Sequence, residues 1–203
     1  MGAGKALLRS ILALAALWSV PTDGVACGYE DPTAISLGVL NWSYPEALHV
    51  RTAVWQAENA GLLPPRGKAP TTGALAFYRA AASMSRLGGL LEAEAESRAA
   101  GFSIVLIPQV LWTRFVPDSD RVSVMTHAPG PLAGEAVVVT NEKVVRALLD
   151  RRLALRDAEA QGLLRIYGEE ATQAAVRETL TLAMRSTAEA ARSHAGAALR
   201  EGR

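Results

Sequence analysis

Phe102-Ser103-Ile104-Val105-Leu106-Ile107 opens the stretch that decides the fold. It is a short, apolar, β-branched run, and Pro108-Gln109 interrupts it. Val110 to Val116 forms a second run, followed by the turn Pro117-Asp118-Ser119-Asp120. Arg121 to His127 alternates around Val122 and Val124, Ala128 to Pro131 is another turn, and Glu135 to Thr140 is a fourth run. Short runs at close spacing, divided by turn residues, read as an antiparallel meander.

Helical texture flanks this region on both sides. Downstream, Asn141 can cap a helix through about Asp150 that turns Val144, Val145, Leu148 and Leu149 inward. Leu155 to Gln161 reads as a second short helix stopped by Gly162, and Leu163 to Tyr167 as one more strand ended by Gly168. Glu169 opens a long alanine-rich helix in which Leu180 and Met184 share a face. Upstream, Thr72 to Ala100 reads as helix, with a kink or break at Gly88-Gly89. Pro64 to Pro70 is a proline-stiffened linker. Before it, Ser43-Tyr44-Pro45-Glu46 has the spacing of a capping box, with Ser43 as the cap. The helix it starts buries Ala47, Val50, Val54 and Ala57 and ends at Gly61. The fold class is therefore α+β, an antiparallel sheet of about five strands covered by helices, with an N-terminal helical extension.

Residues 1–26 read as a cleaved signal peptide. Lys5 and Arg9 form a positive n-region, Ile11 to Trp18 an apolar h-region, and Gly24-Val25-Ala26 supplies the small residues of a cleavage site. The apolar run is too short for a permanent span. Cys27, the only cysteine, follows directly. Its position resembles a bacterial lipoprotein box, although Gly24 stands where a leucine-like residue is usual. Lipidation at Cys27 and plain cleavage both remain open, and either places the protein in the periplasm or outside the cell. Membrane attachment would come only through a lipid at Cys27. The chain then divides into residues 1–26 (signal), 27–70 (extension and linker), 71–184 (α+β domain) and 185–203 (a helical or frayed tail).

The 203-residue chain carries a formal charge of +1. Without residues 1–26 it holds 19 basic and 19 acidic residues, which argues against a nucleic-acid partner. Nothing in the motifs supports catalysis or a cofactor. His49, His127 and His194 have no paired ligand spacing, and a lone cysteine cannot build a thiolate zinc site. Gly2-Ala3-Gly4-Lys5 lies inside the signal and follows no strand. Glu92, Glu94 and Glu96 alternate along a helix and so do not share a face. The expectation is no enzyme, no metal and no cofactor. Trp42, Tyr44 and Trp55 form a dense aromatic group that either seals the extension onto the domain or contacts a periplasmic protein partner.

The order over residues 101–184 resembles the sterol carrier protein family of lipid-binding domains. The resemblance is carried by Thr140 to Leu149, by Leu153 to Ala158, and by Gly162-Leu163-Leu164-Arg165-Ile166-Tyr167-Gly168. It covers under half of the chain, and Arg151 and Glu169 depart from the family's usual glycine and aspartate. It implies a sheet covered by helices on one side, an apolar tunnel between the layers, ligands such as acyl chains or sterols, and no catalysis. Trp112, Phe115, Met125, Leu148 and Ile166 would line such a tunnel; the alternative is that they fill a closed core. The function expected is that of an exported, non-enzymatic protein binding an apolar ligand, with an accessory or assembly role in a periplasmic complex as the alternative.

Overall fold

The structure, a computed structural model, describes residues 39–67, 73–93, 101–118 and 121–201, with side chains to residue 185. The expected signal peptide, Cys27, residues 94–100 of the second helix and the side chain of His194 lie outside the described residues. Helix α1 spans Ala47–Asn59 and α2 Ala74–Ala93. Strands β1 (Phe102–Leu106), β2 (Leu111–Asp118), β3 (Arg121–Thr126) and β4 (Ala136–Thr140) follow. Helices α3 (Glu142–Leu149) and α4 (Leu155–Ala160), strand β5 (Arg165–Tyr167) and helix α5 (Glu170–Glu201) complete the chain. From residue 186 to Glu201 the backbone is helical. No helix among the described residues is long and apolar enough to cross a membrane.

The strands form one sheet of five in the order β3-β2-β1-β4-β5. It is mixed, which corrects the expected antiparallel meander. β1 pairs antiparallel with β2 but parallel with β4, with Phe102 opposite Ala136 and Leu106 opposite Thr140. The reason lies in burial. Every residue of β1 and of β4 is buried, so both strands need covering on two faces and occupy the middle of the sheet. β3 alternates between exposed and buried and takes the edge. A meander would have left the apolar β1 with one edge open.

Side chains alternate between the two faces of a sheet. One face carries Phe102, Ile104, Phe115, Val124, Val138 and Ile166, whose registers align. Helices α2 and α5 pack on it, and α3 packs against α2. The other face carries Ser103, Val105, Trp112, Arg114, Val137, Val139 and Tyr167. Helix α1 covers part of it. Tyr44, just ahead of α1, meets Tyr167 with ring centroids 4.9 Å apart and Trp112 at 6.0 Å. Helices therefore lie on both sides of the sheet, where the family resemblance implied one.

Local details follow the residues closely. The Asn141 side chain caps α3 by accepting from the Lys143 amide at 2.9 Å, and its Nδ2 donates to the Ile107 carbonyl at 2.6 Å. Val144, Val145, Leu148 and Leu149 are buried as their spacing requires. Helix α1 buries Ala47, Val50, Val54 and Ala57. It ends at Gly61, whose φ of 75° lets the Leu62 amide reach back 2.9 Å to the Ala57 carbonyl.

Two expectations fail here. Ser43 does not cap α1: the helix begins after Glu46, with no side-chain cap. The Glu46 amide instead donates to the Tyr167 hydroxyl, at 3.0 Å, so a long-range contact replaces the local one. Of the kink or break expected at Gly88-Gly89, the break does not occur, since α2 runs continuously from Ala74 to Ala93.

Candidate functional site

Between the α2-α5 face of the sheet and its helices lies a small cavity walled by apolar groups. Ile104 and Val138 rise from the central strands, Leu164 from the residue before β5, Leu87 from α2, Val145, Leu148 and Leu149 from α3, and Leu180 and Met184 from α5. Thr140 contributes the one hydroxyl-bearing side chain, and its Oγ1 is already committed to the Leu163 carbonyl at 2.9 Å. The cavity holds about 20 Å³, room for a single water-sized sphere. An apolar void of that size stays dry.

A groove of about 380 Å³ lies outside it, between the α3–α4 connection and α5. Cavity and groove share Leu148, Leu155 and Met184 as a common wall. Leu153 and Ala154 extend the apolar surface outward, while Arg151, Arg156 and Arg185 surround it. The layout is an apolar interior separated from an arginine-rimmed groove by three flexible side chains.

The tunnel-lining residues expected from the sequence fall in three places. Leu148 stands in the wall between cavity and groove. Phe115 and Ile166 point from the same sheet face, but Phe115 is fully buried against Phe102, at 5.0 Å between ring centroids, and neither residue lines the cavity. Trp112 and Met125 lie on the opposite face, where Trp112 packs with Tyr44 and Met125 is half exposed. Leu87, Ile104, Val138, Leu164 and Leu180 line the cavity and are not among the tunnel residues expected from the sequence. Strand parity offers a signal for part of this, since Trp112 and Phe115 are three residues apart on one strand and cannot share a face.

The aromatic group also divides. Tyr44 seals the extension onto the sheet, and burial together with the nearby Glu135 carboxylate pushes its phenol above the ordinary tyrosine value. Trp42 is 90% exposed and Trp55 54% exposed. His127 follows β3 and packs on Phe77 at 5.5 Å, whereas His49 is exposed. Among the described residues no three His, Cys, Asp or Glu side chains come together as a metal site.

A buried polar cluster sits on the α1 face, and the sequence reading did not find it. Glu135 Oε2 accepts from Ser103 Oγ at 2.9 Å and from the Leu132 amide at 2.7 Å, and lies 3.4 Å from Arg114 Nε. Arg114 Nη2 donates to the Gly130 carbonyl. These bonds hold the loop that carries the chain from β3 past β2 and β1 to β4. The cluster is a topological clamp on that crossing.

No protein-family model matches the chain, and no curated protein matches it. Solved structures do. The chain is 16% identical to a ubiquinone synthesis protein, UbiJ-SCP2, over 51% of this chain and 88% of that one, with a TM-score of 0.37. It is 17% identical to sterol carrier protein 2 like 2 from Aedes aegypti, over 48% of this chain and 96% of that one, at 0.36. Against sterol carrier protein 2 from Yarrowia lipolytica in its apo form the values are 12%, 53%, 88% and 0.32. The likeness covers about half of this chain.

Proposed function

We propose that this chain is an exported, non-enzymatic protein that binds an apolar, lipid-like ligand between its sheet and the α2-α3-α5 layer. The observation that carries the reading is the shared wall of Leu148, Leu155 and Met184 between a dry apolar cavity and an open groove. The cavity as it stands is too small for an acyl chain. Binding therefore requires these side chains, and the α5 segment bearing Met184, to move outward. Each methylene buried would contribute about 0.8 kcal/mol, so a chain of several methylenes offsets a modest opening cost. The groove arginines favour an acidic head group on such a ligand.

Export rests on the order of charged, apolar and small residues in 1–26, with Cys27 as the candidate lipid anchor. Intact mass of protein recovered from the cell envelope distinguishes a lipidated Cys27, a plainly cleaved N-terminus and an unprocessed chain. Ligand binding is tested by titrating purified protein with a fluorescent fatty acid. Saturable binding that weakens in Met184→Glu is expected. No saturable binding, together with no lipid extractable from the purified protein, removes the reading.

The exposure of Trp42 and Trp55 favours a second reading, an accessory protein that docks a periplasmic partner through the extension. It expects Trp42→Ala or Trp55→Ala to reduce co-purification while the sheet domain stays folded. Unchanged co-purification counts against it.

A further inference from the structure

A second cleft lies against the residues of α3 that do not face the cavity. Residues 64–67, residues 108–109 and the first turn of α3 enclose about 220 Å³. Five cationic side chains line it: Arg66, Arg79, Lys143, Arg146 and Arg152. Arg66, Lys143, Arg146 and Arg152 share three carboxylates, Glu58, Glu142 and Asp150, so among these four positive charge is in excess.

The wall is fixed before anything binds. Lys143 Nζ donates to Glu58 Oε1 at 2.5 Å, to the Pro64 carbonyl at 3.0 Å and to the Pro65 carbonyl at 3.2 Å. Arg66 and Arg146 are held more loosely. Arg66 Nε stands 3.8 Å from Glu58, and Arg146 Nη1 3.7 Å from Glu142. Both separations exceed a charge-assisted hydrogen bond, so each guanidinium keeps donors for a ligand. The N-terminus of the eight-residue α3 adds partial positive charge from its dipole.

Two residues of the lining also carry acceptors closed off from solvent. Gln109 Oε1 and Glu142 Oε1 are both removed from solvent and without a hydrogen-bond partner. A buried acceptor left unmet is costly, and a ligand that brings its own donor relieves it. An anion needing several guanidinium donors while presenting one hydroxyl of its own matches both halves of this lining. Hydrogen phosphate has that chemistry at neutral pH, and a monoester head has it below its second ionisation, near pH 6.

We propose that this cleft binds phosphate, as the free ion or as the monoester head of a larger molecule. Inorganic phosphate titrated calorimetrically into the purified protein gives one saturable site. The Arg66→Gln/Arg146→Gln double variant weakens it by at least about tenfold, and Gln109→Ala weakens it further. Both arginines are more than half exposed, so the variant keeps its fold, as circular dichroism verifies. Arg51→Gln, exposed on α1 and outside the lining of this cleft and of the groove, leaves phosphate affinity unchanged.

Vesicles of phosphatidylcholine with and without phosphatidic acid identify the source. Binding only with phosphatidic acid, competed by phosphate, assigns a lipid head group; phosphate binding without vesicle binding assigns the free ion or a soluble ester. No saturable phosphate heat, or equal affinity in wild type and the double variant, overturns the proposal. Fatty-acid binding at the apolar site would be unaffected by either outcome.

Discussion

Gly88 on α2 sits directly against Val124 on β3, so close that a Cβ at this position would lie 2.2 Å from Val124 Cγ2. The missing side chain lets α2 settle onto the edge of the sheet and brings its neighbour Leu87 into the cavity wall. Gly89, one residue on, has no atom within 4 Å of the same construction. The two glycines should therefore respond oppositely. Gly88→Ala is expected to destabilise by about 1–3 kcal/mol through overpacking. Gly89→Ala should stabilise by up to about 1 kcal/mol through helix propensity. Urea unfolding of both variants checks this, and equal effects would contradict the packing described.

The Arg114–Glu135 pair is a second test of the fold. Their side chains are 10% and 6% exposed. Removing either partner strands the other in a buried setting, at a cost of about 3–5 kcal/mol. Arg114→Ala and Glu135→Ala should each lower the denaturation midpoint strongly. The combination should cost less than the two single effects together, because the second change removes the stranded charge. Full additivity in a double-mutant cycle would show that the pair does not act as a unit.

Tyr44 and Tyr167 make stability sensitive to alkali. Burial is the largest cause raising both phenols above the ordinary value of 10.0, and neighbouring carboxylates add to it. A group whose folded pKa is raised contributes stability that is full below the unfolded value and is lost as pH rises through the folded one. The melting temperature should fall as pH climbs above 10.0. Tyr44→Phe keeps the ring contacts and removes the ionisation, so its decline should be shallower. Parallel declines in the two proteins would refute the assignment.

Much of the local structure was legible because it depends on neighbours in sequence. Asn141 capping, the inward face of α3, the α1 stripe from Ala47 to Ala57 and the four strand runs all follow from side-chain chemistry within a few residues. Strand order was not legible. The parallel pairing of β1 with β4 depends on which edges remain apolar once β2 has paired, and on a loop clamped by Arg114, whose role appears only when Ser103 and Glu135 arrive from elsewhere. Glycine misled in the same way, since Gly88 serves a contact with a strand thirty-odd residues later. Leu148 lies in the wall of the cavity because helix periodicity fixes its direction. The strand residues were chosen for size rather than parity, which put Trp112 and Met125 on the face away from the cavity.

The central claim is that an apolar ligand occupies the layer walled by Leu148, Leu155 and Leu164 and not the opposite face of the sheet. Methyl-resolved NMR during titration with a fatty acid tests it most directly. The account predicts saturable shifts at Leu148, Leu155, Leu164 and Met184, with Val105, Val137 and Val139 undisturbed. Shifts confined to those three valines, or none at any methyl at saturating ligand, would contradict it.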